Sequence, residues 1–125
     1  MSGHENAYGQ PVGPPVAGWS PRPQPQRTVL TGRYCRIEPI DAERDARALF
    51  DAYMLAPDGR DWTYLFQERP TSFAACRDYL AAIAASSDPL HYVIVDESSR
   101  LAVGTAALMR IEPVHGVIEV CSITY

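Results

Sequence analysis

The sequence predicts an α+β domain, a mainly antiparallel sheet with two helices packed on it. Three observations carry that reading. Residues 90–125 fall into three β-rich runs joined by short turns, residues 41–85 hold two apolar stripes at helical spacing, and one further strand run precedes them and ends at Pro39. The predicted order is β-α-α-β-β-β.

Residues 1–27 are rich in Pro, Gly and Gln, with Pro11, Pro14, Pro15, Pro21, Pro23 and Pro25. Such a segment forms neither a helix nor an interior strand and is expected to be an extended or irregular arm. Trp19 is the exception within it, an aromatic that would dock on the domain spanning residues 28–125. The first strand is expected over Gly32–Pro39, with Tyr34, Arg36 and Glu38 on one face and Cys35 and Ile37 on the other. Asp41 suits an N-cap. In the helix that follows, Ala46, Leu49, Phe50, Tyr53 and Met54 form one stripe, with a Glu43–Arg47 pair on the opposite face. Pro57-Asp58-Gly59 stops it. After the aromatic run Trp62-Thr63-Tyr64-Leu65-Phe66, Thr71 or Ser72 caps a second helix bearing Phe73, Cys76, Leu80, Ile83 and Ala84 on one side. Strands are then expected at His91–Val95, Leu101–Ile111 and Gly116–Tyr125. Their turns are Glu97-Ser98-Ser99-Arg100 and Pro113-Val114-His115-Gly116, where Gly116 can take a positive φ.

Composition excludes several classes. The 125 residues allow one domain, and 46% apolar with 21% charged residues is ordinary globular usage. A net charge of −4, no Lys at all and scattered Arg argue against a nucleic-acid surface. No apolar run approaches the roughly 18 residues that span a bilayer, and no basic and apolar leader opens the chain. Cys35, Cys76 and Cys121 are odd in number and far apart, and form no C-x-x-C pair. They read as reduced thiols acting as small core hydrophobes. His91 and His115 have no matching ligand set, so no metal site is expected. The default is a soluble cytoplasmic protein, with neither nucleic acid nor membrane as partner.

From Gly32 onward the order and local sequences resemble the first half of the GCN5-related N-acetyltransferase (GNAT) fold, in its RimJ/RimL-like bacterial branch. The resemblance rests on Gly32-Arg33-Tyr34-Cys35-Arg36-Ile37-Glu38-Pro39, Asp61-Trp62-Thr63-Tyr64-Leu65, Ala102-Val103-Gly104 and the arm around Gly18-Trp19-Ser20-Pro21-Arg22-Pro23. Above all it rests on the hairpin Met109-Arg110-Ile111-Glu112-Pro113-Val114-His115-Gly116-Val117-Ile118-Glu119-Val120. It implies transfer of an acetyl group from acetyl-CoA to an amine. In the family the pantetheine arm hydrogen-bonds to the splayed fourth strand as an extra strand would. The matching stretch is Cys121, Ser122, Ile123, Thr124 and Tyr125, with Cys121 where members often carry Gly. The family holds the CoA pyrophosphate on a Gly-rich turn entering the next helix. No Gly-rich turn enters a helix in this sequence, and the Tyr often used as general acid has no counterpart. The chain therefore reads as a partial GNAT fold truncated before its acetyl-CoA-binding helix, and inactive as it stands.

Glu119 is the candidate catalytic residue. Period-2 geometry puts Val117, Glu119, Cys121, Ile123 and Tyr125 on one strand face, a carboxylate amid apolar neighbours. Burial there would raise its pKa toward a general base's range, and some family members carry their base on this strand. The competing reading is a cross-strand or surface partner without chemistry. Trp62, Tyr64 and Phe66 either wall the acceptor site, as the resemblance implies, or pack against Phe50 and Tyr53. Two functions follow: an acetyl-CoA-dependent N-acetyltransferase acting on a protein N-terminus or a small amine, or a non-catalytic module pairing its open strand edge with a partner chain. In either case the exposed last strand is expected to support self-association.

Overall fold

The computed structural model describes residues 3–125. Helices α1 (Ala42–Tyr53) and α2 (Phe73–Ala84) pack on one face of an antiparallel sheet, the predicted α+β layout. Asp41 caps α1 by accepting from the Arg44 N–H, and Ser72, not Thr71, caps α2 by accepting from Ala75. The α1 stripe is correct in its inward members: Ala46, Leu49 and Tyr53 are buried, and Phe50 and Met54 pack at its border. The expected Glu43–Arg47 pair does not form. Arg47 turns the other way, to Asp51 at 2.7 Å, because there its guanidinium also covers the rings of Phe50 and Phe73.

Between arm and sheet the structure departs from the expected pattern at three points. The proline-rich arm is not wholly irregular: β1 (His4–Glu5) and β2 (Pro11–Val12) form a small hairpin, its turn closed by the Asn6 carboxamide oxygen accepting from the Tyr8 and Gln10 N–H groups. Pro11 is tolerated in this exposed two-strand ladder, where one missing N–H costs little. The first strand of the main sheet is then split. β3 (Leu30–Thr31) and β4 (Cys35–Pro39) are joined by a tight turn in which Gly32 N–H donates to Cys35 O, so residues 32–34 are turn rather than strand. Cys35 is consequently exposed and is not a core thiol.

The sheet runs β3-β4-β5-β6-β7, with β5 at Leu90–Asp96, β6 at Ala102–Glu112 and β7 at Val117–Thr124. Its core joins Leu49, Cys76, Leu80 and Val93, all fully buried. Burying each of the two leucines contributes about 1.5–3 kcal/mol of transfer free energy. The turn after β5 is pinned by Asp96, whose carboxylate accepts from Ser99 N–H at 2.8 Å. The turn after β6 has Gly116 at φ +64, as its chemistry requires. The arm crosses the face of the sheet opposite the helices. Trp19 Nε1–H donates to Val114 O at 3.3 Å, Arg22 N–H to Pro113 O at 2.8 Å, and the Tyr92 hydroxyl to Gln26 O at 3.2 Å. Arg22 stacks over the Trp19 ring, and Arg27 holds the Ala84 and Ser86 carbonyls at the end of α2. Trp19 is thus half-covered by the domain.

Candidate active site

The last strand pairs with β6 through two irregularities that decide where its side chains go. Met109 faces Glu119 and Glu112 faces Val117, so β6 carries one extra residue, at Arg110 with φ +50. The Arg110 and Ile111 N–H groups freed there donate to the Asp88 carboxylate. Closer to the helices, Ala107 faces Cys121 while Thr105 faces Thr124, so β7 carries one extra residue, at Ser122 with φ +51. This bulge breaks the period-2 alternation. Thr124 takes the inward position that simple alternation assigns to Ile123. Its hydroxyl pairs with Thr105 Oγ1 at 2.8 Å, while Ile123 and Tyr125 are exposed. Gly104 lies under the crossing of Thr124 and Tyr125, where an added Cβ would stand 1.9 Å from Thr124 O.

Two openings flank the bulge on its helix side. A cleft of about 520 Å³ is lined by Tyr53, Leu55, Asp61, Trp62, Val103 and Thr124, among others. The Tyr53 hydroxyl is buried at its base, facing the two threonine hydroxyls without a hydrogen bond of good geometry to either. Burial pushes this phenol up to about 12, with the threonines opposing slightly. A smaller cavity of about 170 Å³ lies between Phe66 and Gln67 of the aromatic loop, Tyr79 of α2, His91 of β5, and Ser122 and Thr124 of β7. Burial lowers the pKa of His91 and raises that of Tyr79. A third depression, of about 590 Å³, lies within the loop around Gly59, Thr63 and Glu68 and touches no strand.

The residues that the sequence singles out therefore separate in space. Glu119 is not buried among apolar groups: its side chain is 52% exposed and pairs with Arg110 at 3.1 Å, because the Arg110 bulge turns a cation toward it. Trp62 is a core residue, edge-on to Tyr53 at 5.0 Å and Tyr79 at 6.0 Å, although its position also lines the larger cleft. Tyr64 and Phe66 pack against neither Phe50 nor Tyr53 and are fully exposed, with Phe66 at the rim of the small cavity. Cys121, Ser122, Ile123, Thr124 and Tyr125 lie together at the end of β7, and no strand pairs with its outer edge among the described residues. Cys76 is buried and its thiol is pushed up to about 11, which makes it inert packing. Among the described residues no cluster of three potential metal ligands occurs, and no helix is long and apolar enough to cross a membrane.

Sequence reasoning misses Tyr53, His91 and the Ser122 bulge as parts of one site. His91 is legible in one respect: it shares strand parity with the buried Val93, which points it at the helices. A bulge at a serine has no such signature.

The fold that positions these residues is shared with solved acetyltransferase structures. A GCN5-related N-acetyltransferase from Brucella melitensis superposes with a TM-score of 0.81 at 38% identity, over 86% of this chain and 49% of that one. A probable acetyltransferase of the GNAT family from Chromobacterium violaceum gives 0.74 at 27% identity, over 90% of this chain and 56% of that one. The chain thus spans about half the length of these relatives. No family model and no curated protein matches it. Its structural neighbours are GNAT acetyltransferases, and over its own length its fold is theirs.

Proposed function

We propose that the chain carries the amine-facing half of an N-acetyltransferase, in the RimJ/RimL-like branch, that moves an acetyl group from acetyl-CoA to an amine. The observation that carries this is the bulged, outwardly unpaired end of β7 lying directly beside two clefts. An extended pantetheine can add to the backbone edge of residues 121–125 as an extra strand, which brings its thioester to the bulge. The acceptor amine then approaches from the helix side, past Trp62, Tyr64 and Phe66. His91 on that side can take the amine's proton; Glu119, which lines neither cleft, is the alternative base. The acceptor is a protein N-terminus or a small amine, in a cytoplasmic setting.

The 125 residues supply no Gly-rich turn entering a helix, hence no converging N–H groups for a diphosphate. They hold the pantetheine and leave the nucleotide in solvent, so by themselves they do not turn over. Calorimetry with acetyl-CoA and with S-acetyl-pantetheine tests both halves of the reading. Equal and weak binding, near millimolar, is expected. No heat with either ligand at several millimolar rejects the pantetheine edge, and micromolar binding of acetyl-CoA alone rejects the missing phosphate anchor.

One observation favours a second reading. Val117, Ile118, Val120 and Ile123 are each about half exposed along β7, an apolar edge strand that templates pairing. A non-catalytic module would use it to bind another chain, and a self-associating one would scatter light as a dimer at micromolar concentration.

A further inference from the structure

We propose that the small cavity behind the β7 bulge receives the reacting amine and that His91 is the base that takes its proton. The inference rests on the acetyl-transfer reading above and names the acceptor's site within it. The cavity's lining admits the neutral, reacting form of an amine. Leu65, Ile83, Pro89, Phe66 and Tyr79 make it mostly apolar, and the Gln67 carboxamide, the Ser122 and Thr124 hydroxyls and one imidazole supply its polar groups, with neither Arg nor carboxylate in it. A carboxylate entering here would find no cation. At about 170 Å³ it holds an amine and a few carbons, not a bulky side chain.

His91 has the right surroundings for the role. It stands on β5 opposite Ala107, which in turn stands opposite Cys121 on β7, so the three share one row across the sheet beside the bulge. Of the cavity's other lining groups only Tyr79 titrates. Neither charge nor hydrogen bond holds the imidazole protonated; burial alone acts on it, and it favours the neutral form. Glu119, by contrast, lies outside this lining and is paired with Arg110.

In the step, an N–H bond of the ammonium breaks, its electron pair stays on nitrogen, and the proton bonds to the free ring nitrogen of His91. The nitrogen pair attacks the thioester carbonyl carbon. The C–S bond breaks with its pair on sulfur, which takes the second proton from nitrogen and leaves as the thiol. His91 returns its proton to solvent.

The chain's three histidines make the test internal, since His4 and His115 are exposed and distant in the fold. Proton NMR of the imidazoles, titrated with ethylammonium and separately with acetate, reads the site directly. Ethylammonium should move the His91 ring and lower its titration midpoint by about half a pH unit, because a nearby cation disfavours imidazolium. The Ser122 and Thr124 amides should move with it, while His4 and His115 stay fixed and acetate does nothing. In His91→Gln the ethylammonium response of Ser122 and Thr124 should disappear, yet acetyl-CoA should still move Cys121 to Tyr125. An unmoved His91 in the native chain, or an acetate response equal to that of the amine, overturns the inference even if acetyl-CoA responds normally. Loss of the acetyl-CoA response itself counts against the transferase reading instead.

Discussion

A Cβ on Gly104 would meet Thr124 O at 1.9 Å and Tyr125 Cβ at 2.7 Å, so any other residue there must push the end of β7 away from β6. Gly104→Ala is expected to cost about 1–3 kcal/mol, the range for overpacking a tight site, and to shift the amides of residues 121–125. A urea midpoint equal to that of the native chain would contradict the close crossing. Acid–base behaviour follows from two buried groups and the half-buried His91. In the fold the Cys76 thiol is raised from 9.0 to about 11 and the Tyr53 phenol from 10.0 to about 12. The unfolded chain therefore releases these protons first, and their stabilising contribution is intact below about pH 9 and is lost as pH rises through those raised values. His91 runs the other way. Its folded pKa is depressed, so its contribution is intact above the ordinary 6.5 and falls as pH drops through the lower value. Urea midpoints at pH 8 and pH 10.5 check the alkaline arm, where a clear fall is expected and a flat profile would contradict the burial of Cys76 and Tyr53. Glu119→Gln separates the two candidate bases in any form of the protein that turns over. A loss near 10²-fold would assign the role to Glu119, whereas the His91 assignment predicts less than about threefold.

The tip of the β6–β7 hairpin and the arm hold each other in place, and the element that fixes them is a glycine. A Cβ at Gly116 would stand 2.4 Å from the Trp19 ring, and its φ of +64 is already unfavourable for other residues. Gly116→Ala should destabilise by about 1–2 kcal/mol from the backbone alone and release Trp19. In a Trp62→Phe background Trp19 emission should then move to the wavelength of free Trp. An unchanged maximum would mean that the arm does not depend on this contact. Trp19 docking is legible in the sequence because a large aromatic among prolines needs cover. Both helices are legible from Asp41, Ser72 and the spacing of Leu49, Tyr53, Cys76 and Leu80. What escapes the sequence are deviations from ideal period. The turn at residues 32–34 looks like strand because Arg33 and Tyr34 are both compatible with one and run straight into β4. The bulges at Arg110 and Ser122 turn Glu119 toward a cation and Ile123 out of the core, and no residue type announces an extra position in a ladder. The candidate site is therefore legible one strand too narrowly: the stretch of β7 can be found from its residues, but His91 and Tyr53 across the cleft meet it only in the fold.

One sheet carries an arm on one face and two helices on the other, and among the described residues its β7 edge is open. This part of a GNAT fold is a coherent unit, with its core shared by α1, α2, β5 and β6. The open edge supports two outcomes, ligand addition or pairing with a second copy, and they compete for the same backbone groups. If acetyl-CoA adds along residues 121–125, it should shift any dimer toward monomer in light scattering. If this edge is the thioester-binding strand, an amide-shift map of the ¹⁵N-labelled chain titrated with acetyl-CoA reads it residue by residue. The prediction is weak, saturable movement confined to Cys121, Ser122, Ile123, Thr124 and Tyr125 and to the facing residues of β6 near Gly104. Saturable shifts elsewhere with residues 121–125 unmoved, or no shifts at millimolar acetyl-CoA, would contradict it.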